Sequence, residues 1–120
     1  NYDETGFMQV ERAATLYFGL RSYGIHMNGL VKKQDGDYIW IAVRSRNKPF
    51  YPGKLDQMVA GGQPVGISIR DNLIKEAAEE AAIPSEIAEQ AEFCGCLSYR
   101  MDTERGVEAA AMAISVVTKI

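Results

Sequence analysis

Residues 61–83 read GGQPVGISIRDNLIKEAAEEAAI, and the second half of this stretch places Glu76, Glu79 and Glu80 at i, i+3 and i+4. On a helix turning about 100° per residue, those three carboxylates share one face. Ile74, Ala77, Ala78 and Ala81 collect on the opposite side, a stripe of mostly small apolar residues suited to close packing on a sheet. Ser68 is placed to cap the helix start, Asp71 to complete a capping box, and Pro84 to end the helix. Ahead of the cap, Gly61, Gly62 and Gly66 form a glycine loop whose backbone can approach a ligand closely. Strand, glycine loop and acidic helix together make a site for a divalent cation carrying a polyphosphate.

The chain around this stretch is that of one ordinary globular domain. At 120 residues it buries about two-thirds of its unfolded surface, enough for a proper core. A net charge of −3 without any basic block argues against bulk nucleic-acid binding, though not against a nucleotide ligand. No apolar run approaches the roughly 18 residues that span a bilayer, and the N-terminus, NYDETGFMQVER, lacks the regions of a signal peptide. The expected location is cytoplasmic. Cys94 and Cys96 fall on one face of a predicted strand; with a single histidine in the chain they cannot complete a zinc site, and a reduced, packing role is expected.

Taken in order, residues 9–20 predict an amphipathic helix flanking the domain. Residues 24–32 and 37–46 read as two strands joined by the hairpin signal KQDG. The second is apolar on both faces through Val43, as a central strand covered by helices is, with Trp40 in the core. It ends in Arg44 and Arg46, whose guanidinium forks suit phosphate oxygens, although a solvated pair of charges explains them equally. His26 is read as a hydrogen-bonded structural histidine. NKPFYPG, residues 47–53, predicts a loop exposing Phe50 and Tyr51, and residues 55–60 a short strand feeding the glycine loop. After the acidic helix come one or two turns capped by Ser85, a strand over 92–101 and a polar turn over 102–106, with Glu104 and Glu108 read as solvated charges. The tail from Val107 is ambiguous, since alanine and methionine favour helix and ISVVT favours strand.

An isolated acidic triplet is ordinarily a solvated helix face. Here the strand and glycine loop precede it at a fixed spacing over residues 61–83, and the stretch resembles the Nudix box, G-x5-E-x7-R-E-U-x-E-E-x-G-U, with U a bulky aliphatic residue. Gly61 falls on the first glycine, Glu76 on the acid after the arginine, Glu79 and Glu80 on the acidic pair, and Ile83 on the last aliphatic position. Ile67 replaces the first glutamate, Lys75 the arginine, Ala77 a larger aliphatic residue and Ala82 the last glycine. Over residues 10–105, further similarity points to the Nudix branch fused to, or related to, fungal thiamin pyrophosphokinases, which tolerates such departures.

The resemblance implies a single domain over residues 1–120, an α/β/α sandwich with a mixed β-sheet, whose C-terminal part is shorter than family members usually have. It implies hydrolysis of a diphosphate linkage in a small molecule, such as thiamin diphosphate, its damaged analogues or a nucleoside diphosphate derivative, with Mg²⁺ or Mn²⁺ as cofactor. Carried over, Glu79 and Glu80 are the principal metal ligands, together with the Ala60 backbone carbonyl; Glu76 is a further ligand or the base, and Lys75 orients Glu76. A point-charge ammonium does not reproduce the arginine fork, which makes Lys75 the weakest transfer. Arg44, Arg46, Gly61 and Gly62 are the expected substrate contacts. The competing reading is a catalytically weak ligand-binding or regulatory module, suggested by Ile67 and Lys75. Many family members form homodimers; the sequence itself does not fix the oligomeric state.

Overall fold

β1 (Arg21–Lys33) is the strand on which the rest of the sheet is built. In the computed structural model, which describes residues 5, 6, 8–104 and 106–117, it pairs antiparallel with β2 (Gly36–Ile39) through its C-terminal end. Its Gly24–Met27 segment pairs antiparallel with β5 (Val59–Gly62). Across the same residues it pairs parallel with β7 (Gly106–Val117), so β5 and β7 lie on opposite sides of β1. β6 (Glu92–Thr103) closes the sheet antiparallel to β7, and β3 (Ala42–Val43) with β4 (Leu55–Asp56) forms a separate two-stranded hairpin. The sheet is mixed and the class α/β, as expected.

α1 (Ile69–Ala81) and α2 (Ser85–Ala88) cover one face. Ile25, Met27, Val59, Ala113 and Val117 from the strands meet Leu73, Ala77, Ile83 and Ala88 there in one buried cluster. Residues of equal parity on β1 and β7 share this face, because side chains alternate along a strand. The small Ala113 and Ala77 let helix and sheet approach closely. Among the described residues both α-helices belong to this layer, and none of their helices is long and apolar enough to cross a membrane.

Local chemistry sets the start of α1 as the sequence predicts. The Ser68 hydroxyl accepts the Asp71 N–H at 3.0 Å and donates to the Asp71 carboxylate at 2.6 Å. The other end differs. Ala82, in the left-handed conformation at φ 51°, stops α1, and its own N–H and that of Ile83 both reach back to the Ala77 carbonyl, the latter at 3.1 Å. Pro84 then caps α2, with Ser85 its first helical residue and no side-chain cap. The buried stripe is also rotated: Ala78 is exposed, while Asn72 is fully buried beside Leu73 and Ala77.

Non-local pairing corrects several further expectations. Residues 9–20 hold only a 3₁₀ turn at Arg12–Ala14 followed by turns, with Gly19 at φ 60°. Tyr17 and Phe18 remain 83% and 72% exposed and Val10, Ala14 and Leu16 are only half-buried, and burial is what stabilises most short helices. Residues 37–46 are not a central strand. β7 takes the position inside the sheet, and Trp40, half exposed, lies between the short β2 and β3 rather than in the core. The tail is strand through Val117, its alanines held between β1 and β6 against their helical preference; residues 118–120 lie outside the described residues. The exposed β6 carries a bulge between Phe93 and Gly95 that displaces Cys94 from the alternation, and both cysteines are free and exposed rather than packed. Glu108 is half-buried on β7 and accepts the Tyr99 hydroxyl at 2.9 Å instead of standing in a loop.

Candidate active site

Gly61 and Gly62 are strand residues of β5, and the glycine loop proper is the segment 63–67, where only Gly66 needs a positive φ, 83°. The Gln63 N–H donates to the Tyr23 carbonyl at 2.9 Å, so odd-numbered residues here turn toward β1 and even-numbered ones toward the free edge of β5. At that edge the Ala60 N–H donates to Glu80 Oε2 at 3.0 Å, and the Gly62 carbonyl accepts from Asn72 Nδ2 at 3.0 Å. Asn72, Glu76 and Glu80 are four residues apart and form one stripe of α1. The stripe lies along β5, with Glu76 over Gly61 in the middle: a Cβ on Gly61 would stand 2.5 Å from Glu76 Cγ and Cδ.

The carboxylates therefore do not all face outward. The Glu76 side chain retains 16% of its exposure against 59% for Glu79. The Lys75 ammonium sits between them, 2.9 Å from Glu76 Oε1 and 3.1 Å from Glu79 Oε2. These bonds, first to Glu76 and then to Glu79, raise the Lys75 pKa above its ordinary 10.5. Lys75 thus touches Glu76 as the sequence implies, through a single ammonium contact rather than a fork.

Among the described residues no three acidic, histidine or cysteine side chains converge as a preformed metal cluster. Glu80 is held by the Ala60 amide, and Lys75 neutralises the other two. The donor set nevertheless fits a hard divalent cation. The carboxylates supply oxygen, the Ala60 carbonyl shares the free edge with its N–H, and a cation, the ammonium, already rests between two of the carboxylates.

The expected arginines lie elsewhere. Arg44 pairs with Asp56 at 2.9 Å and donates to the Phe50 carbonyl at 2.7 Å, which ties the 44–54 loop to its own hairpin. Arg46 is exposed in the following turn. Arg44, Tyr51, Lys54 and Asp56 line a groove of about 380 Å³ on this hairpin, with Phe50 and Tyr51 exposed as predicted. For His26, predicted to be hydrogen-bonded, Nδ1 is buried without a hydrogen-bond partner among the described residues. Sequence reasoning missed Asn72, Gln63 and Arg12, whose guanidinium would stand 3.4 Å from a Cβ on Gly62. For Asn72 the signal was present as an amide four residues before Glu76; for Arg12 there was none.

The fold is the Nudix fold. The chain matches a Nudix hydrolase from M. smegmatis, RenU, with a TM-score of 0.57 at 11% identity, covering 81% of this chain and 61% of that one. It also matches an Ap4A hydrolase from C. elegans with a TM-score of 0.56 at 12% identity, covering 83% and 70%. No protein-family model matches. In sequence the chain is 48% identical over 105 residues to Nudix hydrolase 24, chloroplastic, of Arabidopsis thaliana, covering 88% of this chain and 28% of the relative. It is 50% identical over 93 residues to Nudix hydrolase 20, chloroplastic, of the same plant, covering 78% and 25%. The chain thus spans about a quarter of the length of these curated relatives. The sequence relatives are named Nudix hydrolases, and the solved structures share the Nudix fold.

Proposed function

We propose that this chain is the diphosphate-cleaving domain of a Nudix pyrophosphohydrolase. The observation that carries the proposal is the stripe on β5, with Glu76 over Gly61 and Glu80 on the Ala60 amide beside the exposed Glu79. Mg²⁺ or Mn²⁺, held by Glu79, Glu80, Glu76 and the Ala60 carbonyl, would supply charge neutralisation on the phosphoryl oxygens. Glu76, confined between the Gly61 backbone and the Lys75 ammonium, is positioned to orient a water or take its proton. Lys75 keeps Glu76 and Glu79 from repelling one another until a cation replaces it.

The substrate we propose is thiamin diphosphate or an oxidised analogue, cleaved to a monophosphate and phosphate; this rests on the branch resemblance in residues 10–105. The test uses the whole protein with Mg²⁺ against thiamin diphosphate, oxidised thiamin diphosphates, ADP-ribose, NADH and nucleoside triphosphates. A wide preference for a nucleotide overturns the thiamin assignment. We propose a cytoplasmic location, whereas both plant relatives are named chloroplastic; fractionation of the full-length protein decides it.

A second reading, a ligand-binding module with little turnover, is favoured by the ammonium between Glu76 and Glu79 and by apolar Ile67 at the box's first acidic position. Glu79→Gln separates the two. A hydrolase loses most of its kcat while staying folded, whereas a binding module loses only metal-linked affinity.

A further inference from the structure

We propose that Asn72 is a positioning residue that holds the register between α1 and the free edge of β5 while the carboxylates are at work, a role that rests on the hydrolase reading above. Asn72 is fully buried, on a helix face otherwise occupied by Leu73 and Ala77. An amide in such a place is unfavourable unless its hydrogen bonds are made. Both bonds made by its Nδ2 run to one segment, to the Gly62 carbonyl at 3.0 Å and to Gln63 Oε1 at 3.1 Å. Gln63 Nε2 donates in turn to the Ile67 carbonyl at 2.7 Å. One buried side chain thereby ties the last residue of β5 to the far end of the loop that leads into α1.

The amide orientation is fixed by these partners. Exchanging Asn72 oxygen and nitrogen would set its oxygen against the Gly62 carbonyl, and exchanging Gln63 would set its oxygen against the Ile67 carbonyl. As oriented, Asn72 Oδ1 has no partner among the described residues. The side chain leaves its own acceptor unsatisfied while both donor bonds serve the loop, and a residue kept for packing alone has no need of either.

The consequence concerns the other end of the stripe. Two bonds clasp α1 to the edge of β5, Asn72 to Gly62 and Glu80 to Ala60, with Glu76 over Gly61 between them. When Glu80 turns from the Ala60 amide to serve a cation, its clasp opens and Asn72 alone keeps Glu76 in register. Loss of Asn72 therefore acts on the loaded enzyme more than on the resting fold.

The experiment compares Asn72→Leu and Gln63→Leu in the whole protein. Leucine has the heavy-atom branching of asparagine and makes no hydrogen bond, and melts of the variant report any cost of its larger volume. In Asn72→Leu, kcat is expected to fall roughly thirtyfold with KM within about twofold of wild type, since a small misplacement of reacting groups acts on the chemical step. Hydrogen exchange of the amides over 60–67 should rise while that of β6 and β7 does not. Gln63→Leu cuts the latch at its half-buried end, away from the helix packing, and should raise exchange over the same segment. Unchanged kcat and exchange in Asn72→Leu overturn the proposal, as does a loss of kcat that disappears when rates are scaled to the folded fraction. If wild type hydrolyses none of the substrates, the hydrolase reading fails by itself. The latch is then judged by exchange and by Mn²⁺ titration: weaker Mn²⁺ binding and faster exchange in both variants support it, and wild-type values in both overturn it.

Discussion

The Glu76 side chain lies directly on Gly61, so closely that a Cβ at Gly61 would stand 2.5 Å from its Cγ and Cδ and 2.9 Å from Oε2. Gly61 has no positive φ, and its role is to leave room rather than to bend the chain. Gly61→Ala should therefore keep the strand and displace the carboxylate. We expect kcat to fall roughly a hundredfold, the order of effect that a displacement of about 1 Å produces, with only a small change in Tm. Steady-state kinetics and thermal melts of the same preparation check it.

Ala82 occupies a left-handed position where a side chain costs about 1 kcal/mol and glycine costs nothing. Ala82→Gly should stabilise the domain by about 1 kcal/mol, less the entropy glycine gives the unfolded chain, raising Tm by about 3 °C. A fall in Tm would mean that α1 does not end in the left-handed turn at Ala82.

Lys75 occupies the space between Glu76 and Glu79 that a divalent cation would enter. Lys75→Met leaves the carboxylates facing each other, so the metal-free protein should melt slightly earlier at pH 7 and gain more from millimolar Mg²⁺ than wild type does. Scanning calorimetry with and without Mg²⁺ measures both effects. Equal Mg²⁺ shifts in the two proteins would detach Lys75 from the metal site.

Tyr99 has its pKa raised above 10.0, first by burial and then by the hydrogen bond to Glu108. A raised folded pKa favours the protonated phenol, so this contribution to stability is fully present below pH 10 and is lost as pH rises through the folded value. In a phenol titration followed by ultraviolet absorbance, Tyr99→Phe should remove the late-ionising part of the curve. The same variant should lose less stability than wild type between neutral pH and pH 11.

The amino-acid sequence alone determined α1, its Ser68 cap and the alignment of Glu76, Glu79 and Glu80, because each is set by contacts within about four residues of chain. The same spacing carried the Nudix resemblance that the fold bears out. Only the tertiary structure decided that the alanine-rich tail is an interior strand, that residues 37–46 stay outside the core, and that the stripe over 9–20 forms a 3₁₀ turn rather than an α-helix. Each of these depends on pairings such as Tyr23 with Ala111, between residues far apart in sequence, and strand preference yields to whichever neighbour covers the face. The site divides the same way. Helical period aligned the acids, but it could not reveal that their stripe turns onto the free edge of β5, with Asn72 at one end and Ala60 at the other. That edge exists because β5 pairs with β1 on one side only, a fact of sheet order that no local pattern encodes.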